Sequence, residues 1–324
     1  MDSPLAAKDP QSGKSQRLLA HLLLLAVVVV WGGSFVLVKD ALSDISPLLF
    51  NLIRMALASV CLIVIYRRHL PALSAQTLAG GAVAGFFLAL GYQFQTSGLA
   101  LTTPSKSAFL TGLTVVLVPL LSVMPAVRAP GSLRPGWNAY AGAAVALLGI
   151  TLLTAPGVLS RAGGWRMAGI NRGDLLTLGC ALSFAFHLLT LAHLAKRIHF
   201  EQLALLQIGF CTLFMGISLP LLEHPRIYLT LRLLVALLVS AVLSTAAAFT
   251  IQSWAQQHLA ASHTALILAG EPVFAWITSL LFLHEGLGQS QALGALLILA
   301  GIGLTELFTA QIETNALLSP TNRP

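Results

Sequence analysis

Ten stretches of about twenty mostly apolar residues follow one another along the chain, each long enough to cross a bilayer. They cover residues 18–38, 47–66, 77–99, 105–125, 137–153, 175–194, 203–222, 233–254, 261–283 and 291–308. Inside a bilayer, backbone N–H and C=O groups must be paired within the protein, so such segments are helical. The strands of a membrane barrel are about half this length. The sequence therefore predicts an all-α membrane protein with ten transmembrane helices.

The composition favours lipid as the solvent for much of the chain. Hydrophobic residues make up 56% of the 324 residues and charged residues only 9%, against about 25% charged residues in soluble domains. The formal net charge is +7, but the basic residues are scattered singly between apolar runs. A nucleic-acid-binding protein would cluster them on one stripe, whereas loops beside anionic headgroups would not. We therefore expect the lipid bilayer, and no nucleic acid, as a partner.

The three cysteines predict neither a disulfide nor a metal site. Cys61, Cys180 and Cys211 each lie within an apolar run, and no CxxC pair occurs. Such cysteines are typically small buried hydrophobic residues. The sequence accordingly predicts no cofactor and no metal, and it contains no acid–base group of an enzyme in a soluble region of domain size.

The two halves of the chain resemble each other weakly. A shift of 157 residues places Gln95 on Gln252 and the start of the fourth span, 105–108, on the start of the ninth, 262–265. Glycines recur at matching places in the fifth and tenth spans. The matched segments imply five spans per half, and an odd number inverts the second half in the membrane, a common plan of secondary transporters. Chance similarity between apolar helices is the alternative.

This repeat predicts the domain organisation and the orientation of the chain. We expect a first repeat at 18–155 and a second at 173–308, with a connecting loop at 156–172 and tails at 1–17 and 309–324. With the N-terminus inside, the inner segments hold ten Lys or Arg residues and the outer segments six. Positive residues concentrate on the cytoplasmic side. The sequence therefore predicts a multi-pass protein of the inner (cytoplasmic) membrane with both termini cytoplasmic.

Several local motifs resemble one known family. They are Trp-Gly-Gly-Ser-Phe at 31–35, Asn-Leu-Ile-Arg at 51–54, Gly-Tyr-Gln-Phe-Gln-Thr-Ser-Gly-Leu at 91–99 and Glu-Pro-Val-Phe-Ala at 271–275. Together they resemble the EamA-type domain of the drug/metabolite transporter superfamily, in two copies over about 18–308. The resemblance implies an inverted five-plus-five repeat, a central cavity and movement of amino acids, other metabolites or drugs, often outward. The second half departs from the first where residues 180–182 replace Trp-Gly-Gly, which leaves Trp31 without a counterpart.

Polar side chains repeat on one face of several predicted spans. In the third span, Tyr92, Gln95 and Thr96 stand at i, i+3 and i+4, which is one helical face. Polar groups in a membrane usually face the bundle interior or a water-filled cavity; the alternative is that they only bond neighbouring helices. We predict that a substrate cavity is lined by Trp31, Ser34, Tyr92, Gln95, Thr111, Phe184, His187, Phe249, Gln252 and Glu271.

Glu271 is the candidate proton-coupling residue. It lies about ten residues into the ninth span and is the only acidic residue between Glu223 and Glu285. A carboxylate at such a depth is expensive in its ionised form, which favours uptake of a proton. Pro272 beside it can kink the helix. The alternative is a structural pairing with a polar group of a neighbouring helix.

Three basic residues within the spans have less specific interpretations. Arg54, about seven residues into its span, is expected either to extend to the headgroups or to pair with a carboxylate. Lys106 and His263 begin matched spans and are expected to anchor them at the interface.

These patterns predict a secondary transporter that moves a small organic metabolite by alternating access, in the direction of export. An intramembrane enzyme that uses His187 and a non-transporting membrane scaffold are the alternatives. The substrate, the coupling ion, with protons as the candidate, and the oligomeric state are left open by the sequence.

Overall fold

The computed structural model describes residues 10–128, 136–154, 171–195, 197–259, 264 and 267–318. Most of the predicted connecting loop at 156–172, His263 and half of the predicted N-terminal tail at 1–17 lie outside the described residues. Within the described ranges the chain is helical, and the only β-type pairing recorded there is one isolated bridge between Ile45 and Ile227.

Twelve α-helices of the described part are labelled in chain order. They are α1 Pro10–Ala41, α2 Pro47–Tyr66, α3 Ala75–Leu101, α4 Pro104–Gly112, α5 Thr114–Leu121, α6 Trp137–Thr154, α7 Arg172–Leu194, α8 Phe200–Leu222, α9 Leu231–Ala241, α10 Ala248–His258, α11 Glu271–Leu283 and α12 Gln289–Leu318. A 3-10 turn, Arg67–Ala72, follows α2, and a π-helical segment, Val242–Ala247, joins α9 to α10.

These helices form the ten predicted spans. The pair α4 and α5 makes the fourth span, and α9 and α10 with the π segment make the eighth. Seven helical segments of the described residues are long and apolar enough to cross a membrane, and three shorter apolar helices complete the set. Large apolar side chains remain exposed on the outer faces, for example Val60 and Val64 on α2 at 60% and 64%. The predicted all-α membrane fold with ten transmembrane helices in two inverted repeats is confirmed.

Helix bounds differ from the predicted spans at both ends of the chain. Helix α1 begins at Pro10, within the predicted N-terminal tail, and α12 continues to Leu318, into the predicted tail at 309–324. The prediction followed hydropathy, which ends a span where the residues become polar. A helix continues through polar residues when no proline or glycine interrupts it, and none does so between Gly303 and Leu318.

Equivalent helices of the two repeats pack against each other across the centre. Helix α2 packs on α8, α4 on α11 and α6 on α12. The other large contacts also come in related pairs: α1 packs on α11 as α7 packs on α4 and α5, and α3 packs on α7 as α1 packs on α10. This arrangement places helices of both halves around one central volume.

Glycines bring α6 and α12 into backbone contact. A Cβ atom added to Gly294 would lie 2.6 Å from the carbonyl oxygen of Gly149, and one added to Gly301 would lie 2.5 Å from that of Gly142. Small residues at such an interface let two membrane helices approach closely. The glycines that the sequence comparison matched between the repeats thus meet face to face.

One end of the bundle is tied together by polar contacts between the connections α1–α2 and α8–α9. The oxygens of Glu223 accept bonds from the N–H groups of Leu48 and Leu49, at the start of α2. Arg232 contacts Asp44 at 2.7 Å and Asp40 at 3.1 Å. The hydrogen bonds that Arg232 donates hold the pKa of Asp44 below its usual value.

A buried ion pair lies at the same end. The ammonium of Lys106 is 2.7 Å from the carboxylate of Asp174, whose side chain is fully buried. Asp174 also accepts from Thr102 and forms a capping box with Asn171 at the start of α7. Lys106 is therefore not the interface anchor that the sequence suggested, because it joins α4 to α7 inside the protein.

Candidate functional site

The fourth and ninth spans are both interrupted near the middle of the bundle. Helix α4 ends at Gly112 and α5 starts at Thr114, so the break falls at Leu113. In the ninth span α11 starts at Glu271, after a turn in which the N–H of Gly270 donates to Ile267. A shift of 157 residues places Leu113 on Gly270, so the breaks are related by the repeat. Discontinuous helices at the repeat interface are typical of transporter binding sites.

The eighth span is deformed by the π segment Val242–Ala247. The carbonyl oxygen of Ser244 accepts a bond from the indole N–H of Trp31 at 2.9 Å and faces Arg54 at 3.4 Å. The equivalent residues of the first repeat, 85–90, lie within the regular helix α3. Such π insertions are frequent at functional sites, and here the insertion presents a carbonyl to two side chains of the other repeat.

A central cavity lies between these elements. It comprises about 830 Å³ of space between the side chains, including the part that opens to solvent. All ten side chains predicted to line a cavity are on its wall: Trp31, Ser34, Tyr92, Gln95, Thr111, Phe184, His187, Phe249, Gln252 and Glu271. Their role in binding a substrate stays a prediction.

Aromatic rings form one wall of the cavity. The ring centroids of Trp31 and Phe249 are 5.5 Å apart, and those of Tyr92 and Phe184 are 5.3 Å apart. Tyr92 also contacts Phe249 edge to face, with centroids 6.1 Å apart. These distances are those of favourable aromatic pairs. The wall offers an apolar surface to a solute of modest size.

Arg54 is buried on the cavity wall, with 3% of its surface exposed. Its Nε donates to Thr245 at 2.7 Å and its Nη2 to the hydroxyl of Tyr92 at 3.1 Å. Its guanidinium also stacks over the Tyr92 ring, 4.4 Å from the centroid. It neither extends to the headgroups nor pairs with a carboxylate of the described residues, so both interpretations from the sequence are wrong for the part of the chain that the structure describes.

Asn51 belongs to the same Asn-Leu-Ile-Arg motif as Arg54 and joins α2 to α3 by two hydrogen bonds. Its amide donates to the carbonyl oxygen of Tyr92 at 2.9 Å, and its oxygen accepts from Thr96 at 3.0 Å. The spacing of Asn51 and Arg54 on α2 puts both side chains toward α3 and the cavity.

Glu271 lies on the cavity wall at the first residue of α11. Among the described residues its carboxylate has no recorded hydrogen bond or ion pair. Helix α1 packs closely against it, because a Cβ atom at Gly32 would lie 3.0 Å from the Glu271 carbonyl oxygen and 2.6 Å from Phe274. The small residue of the Trp-Gly-Gly motif thus allows α1 to approach the start of α11.

His187 is fixed in a polar chain that joins three helices. Its Nε2 is 2.8 Å from the oxygen of Gln207, whose amide donates to Ser253 at 3.1 Å. In the described residues the histidine therefore pairs with Gln207 and not with Glu271. Gln252, nearby on α10, is 2% exposed, and its side-chain oxygen has no hydrogen-bond partner there.

Two hydroxyl groups that share a helical face with predicted lining residues bond only their own helix. Thr190, three residues after His187, donates to Phe186, and Thr278, seven residues after Glu271, donates to Phe274 and Ala275. These bonds stay within one helix, so they do not join neighbouring helices as the alternative interpretation of the stripes expects. The predicted lining left out Arg54 and Thr114, which are both on the cavity wall; a shift of 157 residues places Thr114 on Glu271, so the repeat pointed to it.

Comparison with known proteins agrees with this geometry. The family model of the EamA-like transporter family matches residues 18–155 and 171–307. An uncharacterized transporter of Archaeoglobus fulgidus is 30% identical over 90% of this chain and 87% of its own length. The uncharacterized transporter YoaV of Bacillus subtilis is 26% identical, over 86% of this chain and 94% of its own.

A solved crystal structure has the same fold, with a TM-score of 0.64, 18% identity, and coverage of 91% of this chain and 98% of the other. This likeness concerns the fold alone. The family model covers both repeats and the motifs that build the cavity. The chain belongs to the EamA-like transporter family, and it is a multi-pass membrane transporter.

Proposed function

We propose that the protein moves a small organic solute across the membrane by alternating access, with the central cavity as the binding site. The observation that carries the proposal is the meeting of two repeat-related helix breaks, at Leu113 and Gly270, on one cavity. Irregular turns in repeat-related helices near the midplane are typical of transporter binding sites. The apolar aromatic wall with a few polar groups is typical of small-molecule sites.

The alternatives have less support from the site. An intramembrane hydrolase would need a base near a nucleophile or a bound water. The recorded partner of His187 is the neutral amide of Gln207. A scaffold has no need for a cavity in which Glu271 lacks a recorded partner among the described residues and Gln252 leaves its oxygen unpaired.

The orientation and direction of transport form part of the proposal. The basic bias of the loops supports cytoplasmic termini in the inner membrane. In that orientation the end that carries the Lys106–Asp174 and Arg232–Asp44 pairs faces outward. We infer that the outer side is closed in this conformation, in part by the hydrogen bonds between the start of α2 and Glu223, and that an exporter must break such contacts to release its solute.

Glu271 is proposed to carry a coupling proton. It faces the cavity at the start of α11, where proton and solute can reach the same space. Glu271→Gln keeps the size of the side chain and removes its ionisation. We expect the variant to fold and to exchange labelled for unlabelled solute, while proton-driven accumulation is lost. A wild type whose transport does not vary from about pH 5 to 8 would contradict coupling but leave transport itself intact.

The transport proposal is tested by counterflow in proteoliposomes. Purified protein is first screened by thermal shift against amino acids, organic acids, sugars and cationic drugs, and the ligands found are tested as labelled solutes. Gln252→Leu, inside the cavity, should abolish counterflow, whereas Val64→Leu, on the exposed face of α2, should not. Chemical conversion of a ligand, without its passage into vesicles, would favour the enzyme alternative.

Orientation is tested by cysteine labelling. The native Cys61, Cys180 and Cys211 are replaced by alanine, and single cysteines are introduced at His69 and at His224. An impermeant reagent added to whole cells should label the second position only. Labelling of the first position alone would reverse the proposed orientation.

A further inference from the structure

A guanidinium group on the cavity wall lacks a charged partner. Arg54 is 3% exposed, and the three acceptors that it contacts are the neutral oxygens of Thr245, Tyr92 and Ser244. No carboxylate lies within 4.0 Å of it among the described residues, where the recorded ion pairs are His69–Glu201, Lys106–Asp174, Arg232–Asp40 and Arg232–Asp44. A buried charge without a counter-ion is unfavourable by several kcal/mol.

Within the described residues, two of the three guanidinium nitrogens of Arg54 are held by hydrogen bonds, and the third, Nη1, is not. Nε and Nη2 make the hydrogen bonds, and the planar group stacks on the Tyr92 ring. No hydrogen bond of Nη1 is recorded within the described part of the chain. The two N–H groups of Nη1 can donate charge-assisted hydrogen bonds to a carboxylate, which are stronger than bonds between neutral groups. Because neighbours already fix the group, a ligand would lose little entropy in orienting it.

The charge of the cavity limits the ligand to a weakly charged anion. Among the residues that line it in the described structure, Arg54 is the only Lys or Arg and Glu271 the only carboxylate, so the cavity carries one positive charge when Glu271 is protonated. A phosphate monoester, with nearly two negative charges at neutral pH, would exceed that charge. A carboxylate matches it, and its body can lie against the rings of Trp31, Phe184 and Phe249. The unpaired side-chain oxygen of Gln252 on the same wall can accept a hydrogen bond from a donor group elsewhere on the ligand, not from its carboxylate.

We propose that Arg54 binds the carboxylate of an organic-acid substrate and so determines the specificity of the cavity. The inference rests on the proposed transport function, because it assigns a chemical class to the solute of the same site. It explains why a positive charge is kept at the centre of a membrane bundle, where arginine is otherwise expensive.

Matched probes test the inference on the purified full-length protein. Two sets share one body each: 3-phenylpropanoate, 3-phenylpropanamide and 3-phenylpropylamine, and hexanoate, hexanamide and hexylamine. Binding is measured by titration calorimetry at constant ionic strength. We expect the acid of at least one set to bind at least tenfold more tightly than its amide and amine. If neither acid binds, or if an amide binds as tightly as its acid, the inference is wrong.

Substitutions of Arg54 test whether this residue causes the preference for the acid over the amide. Arg54→Gln should remove the advantage of the acid over the amide, and Arg54→Lys, which keeps the charge but lacks the planar group held by Thr245 and Tyr92, should retain only part of it. Arg226→Gln removes an exposed guanidinium outside the cavity and should leave the preference unchanged. If Arg54→Gln does not fold, Arg54→Lys and the wild-type comparison of acid with amide still test the inference.

Transport measurements separate this inference from the proposed function. Counterflow of 3-phenylpropylamine that Arg54→Lys does not alter would overturn the carboxylate role and leave a transporter. Binding of an acid through Arg54 without any counterflow would retain the binding role and overturn transport.

Discussion

A single methyl group on α12 should separate the helix pair that closes the bundle. In Gly301→Ala the new Cβ would lie 2.5 Å from the Gly142 carbonyl oxygen and 2.8 Å from the Ala146 nitrogen. Ordinary van der Waals contact begins at 3.4 Å, so the helices must part by about 0.9 Å. Both neighbours are backbone atoms and cannot rotate away. Overpacking of this kind is unfavourable by about 1–3 kcal/mol.

The matched control is two residues away on the same helix. Nothing lies within 4 Å of a Cβ atom added to Gly303. Gly303→Ala should therefore be neutral or stabilising by up to about 1 kcal/mol, since alanine favours the helix. Both variants gain the helix preference of alanine, so they should differ by the overpacking alone, about 1–3 kcal/mol, or about 2–6 °C in Tm at about 2 °C per kcal/mol for a chain of this size.

The assay is the fraction of detergent-purified protein that remains monodisperse after heating to a series of temperatures. In Gly294→Ala the new Cβ would lie 2.6 Å from the Gly149 carbonyl oxygen, so the midpoint of this variant should be lowered like that of Gly301→Ala. Equal midpoints for Gly301→Ala and Gly303→Ala would refute the argument that backbone contact, and not glycine content, determines the stability of this pair.

Three further outcomes follow from polar contacts. Asp174→Asn leaves the buried Lys106 without its partner and should destabilise the protein by about 3–5 kcal/mol, whereas the double variant with Lys106→Met should recover part of that loss in the same heating assay. Asp44 has a lowered pKa, so its stabilising contact with Arg232 is complete above the ordinary aspartate pKa of about 3.9 and is lost as the pH falls through the lower folded value. The difference in Tm between the wild type and Asp44→Asn should thus be constant near neutrality and shrink in acid; a constant difference throughout would count against the ion pair. Gln252→Leu removes a buried oxygen without a recorded partner and should raise Tm slightly while it abolishes solute binding, and a lowered Tm would point to a structural role.

The sequence predicted the spans well where local signals coincide. The second span, 47–66, agrees with α2 at both ends, because Pro47 suits the first turn of a helix and the apolar run stops at Arg67. Helical spacing and the repeat also predicted side chains that lie on one cavity in the structure, since polar residues of a bundle point inward.

Local signals locate the breaks within spans only in part. Pro272 marks the ninth span, whereas in the fourth span Gly112 and Pro119 weaken the helix without fixing the break at Leu113. A Cβ atom at Gly112 would lie 2.9 Å from the Pro272 ring, so the site of the break is in tertiary contact with the ninth span. Likewise, the pairing of Lys106 with Asp174 joins residues far apart in sequence, which hydropathy assigned separately to span ends.

The role of Arg54 could not be predicted from its own span because the groups that it contacts lie on other helices. Its main partners, Thr245 and Ser244, lie in a π segment whose residues, Val-Leu-Ser-Thr-Ala-Ala, would be ordinary in an α-helix. Trp31 donates to the same Ser244 carbonyl oxygen. Trp31, which has no counterpart in the second repeat, thus contacts the π segment, which has no counterpart in the first.

These contacts bear on how such a bundle can move. Trp31 on α1 and Arg54 on α2 both bind the π segment, so the first two helices of one repeat are tied to the eighth span of the other. At the end of the bundle that carries the Lys106–Asp174 pair, these three spans are joined to the other helices by side-chain hydrogen bonds, from the start of α2 to Glu223 and from Lys39 to the end of α3. Breaking those frees whole helices, whereas breaking the contacts of Arg54 would strip a buried charge of its hydrogen bonds, which is far less favourable. Alternating access is therefore easier if α1, α2 and the eighth span rotate together past the rest, with Arg54 and its neighbours kept intact on the moving wall of the cavity.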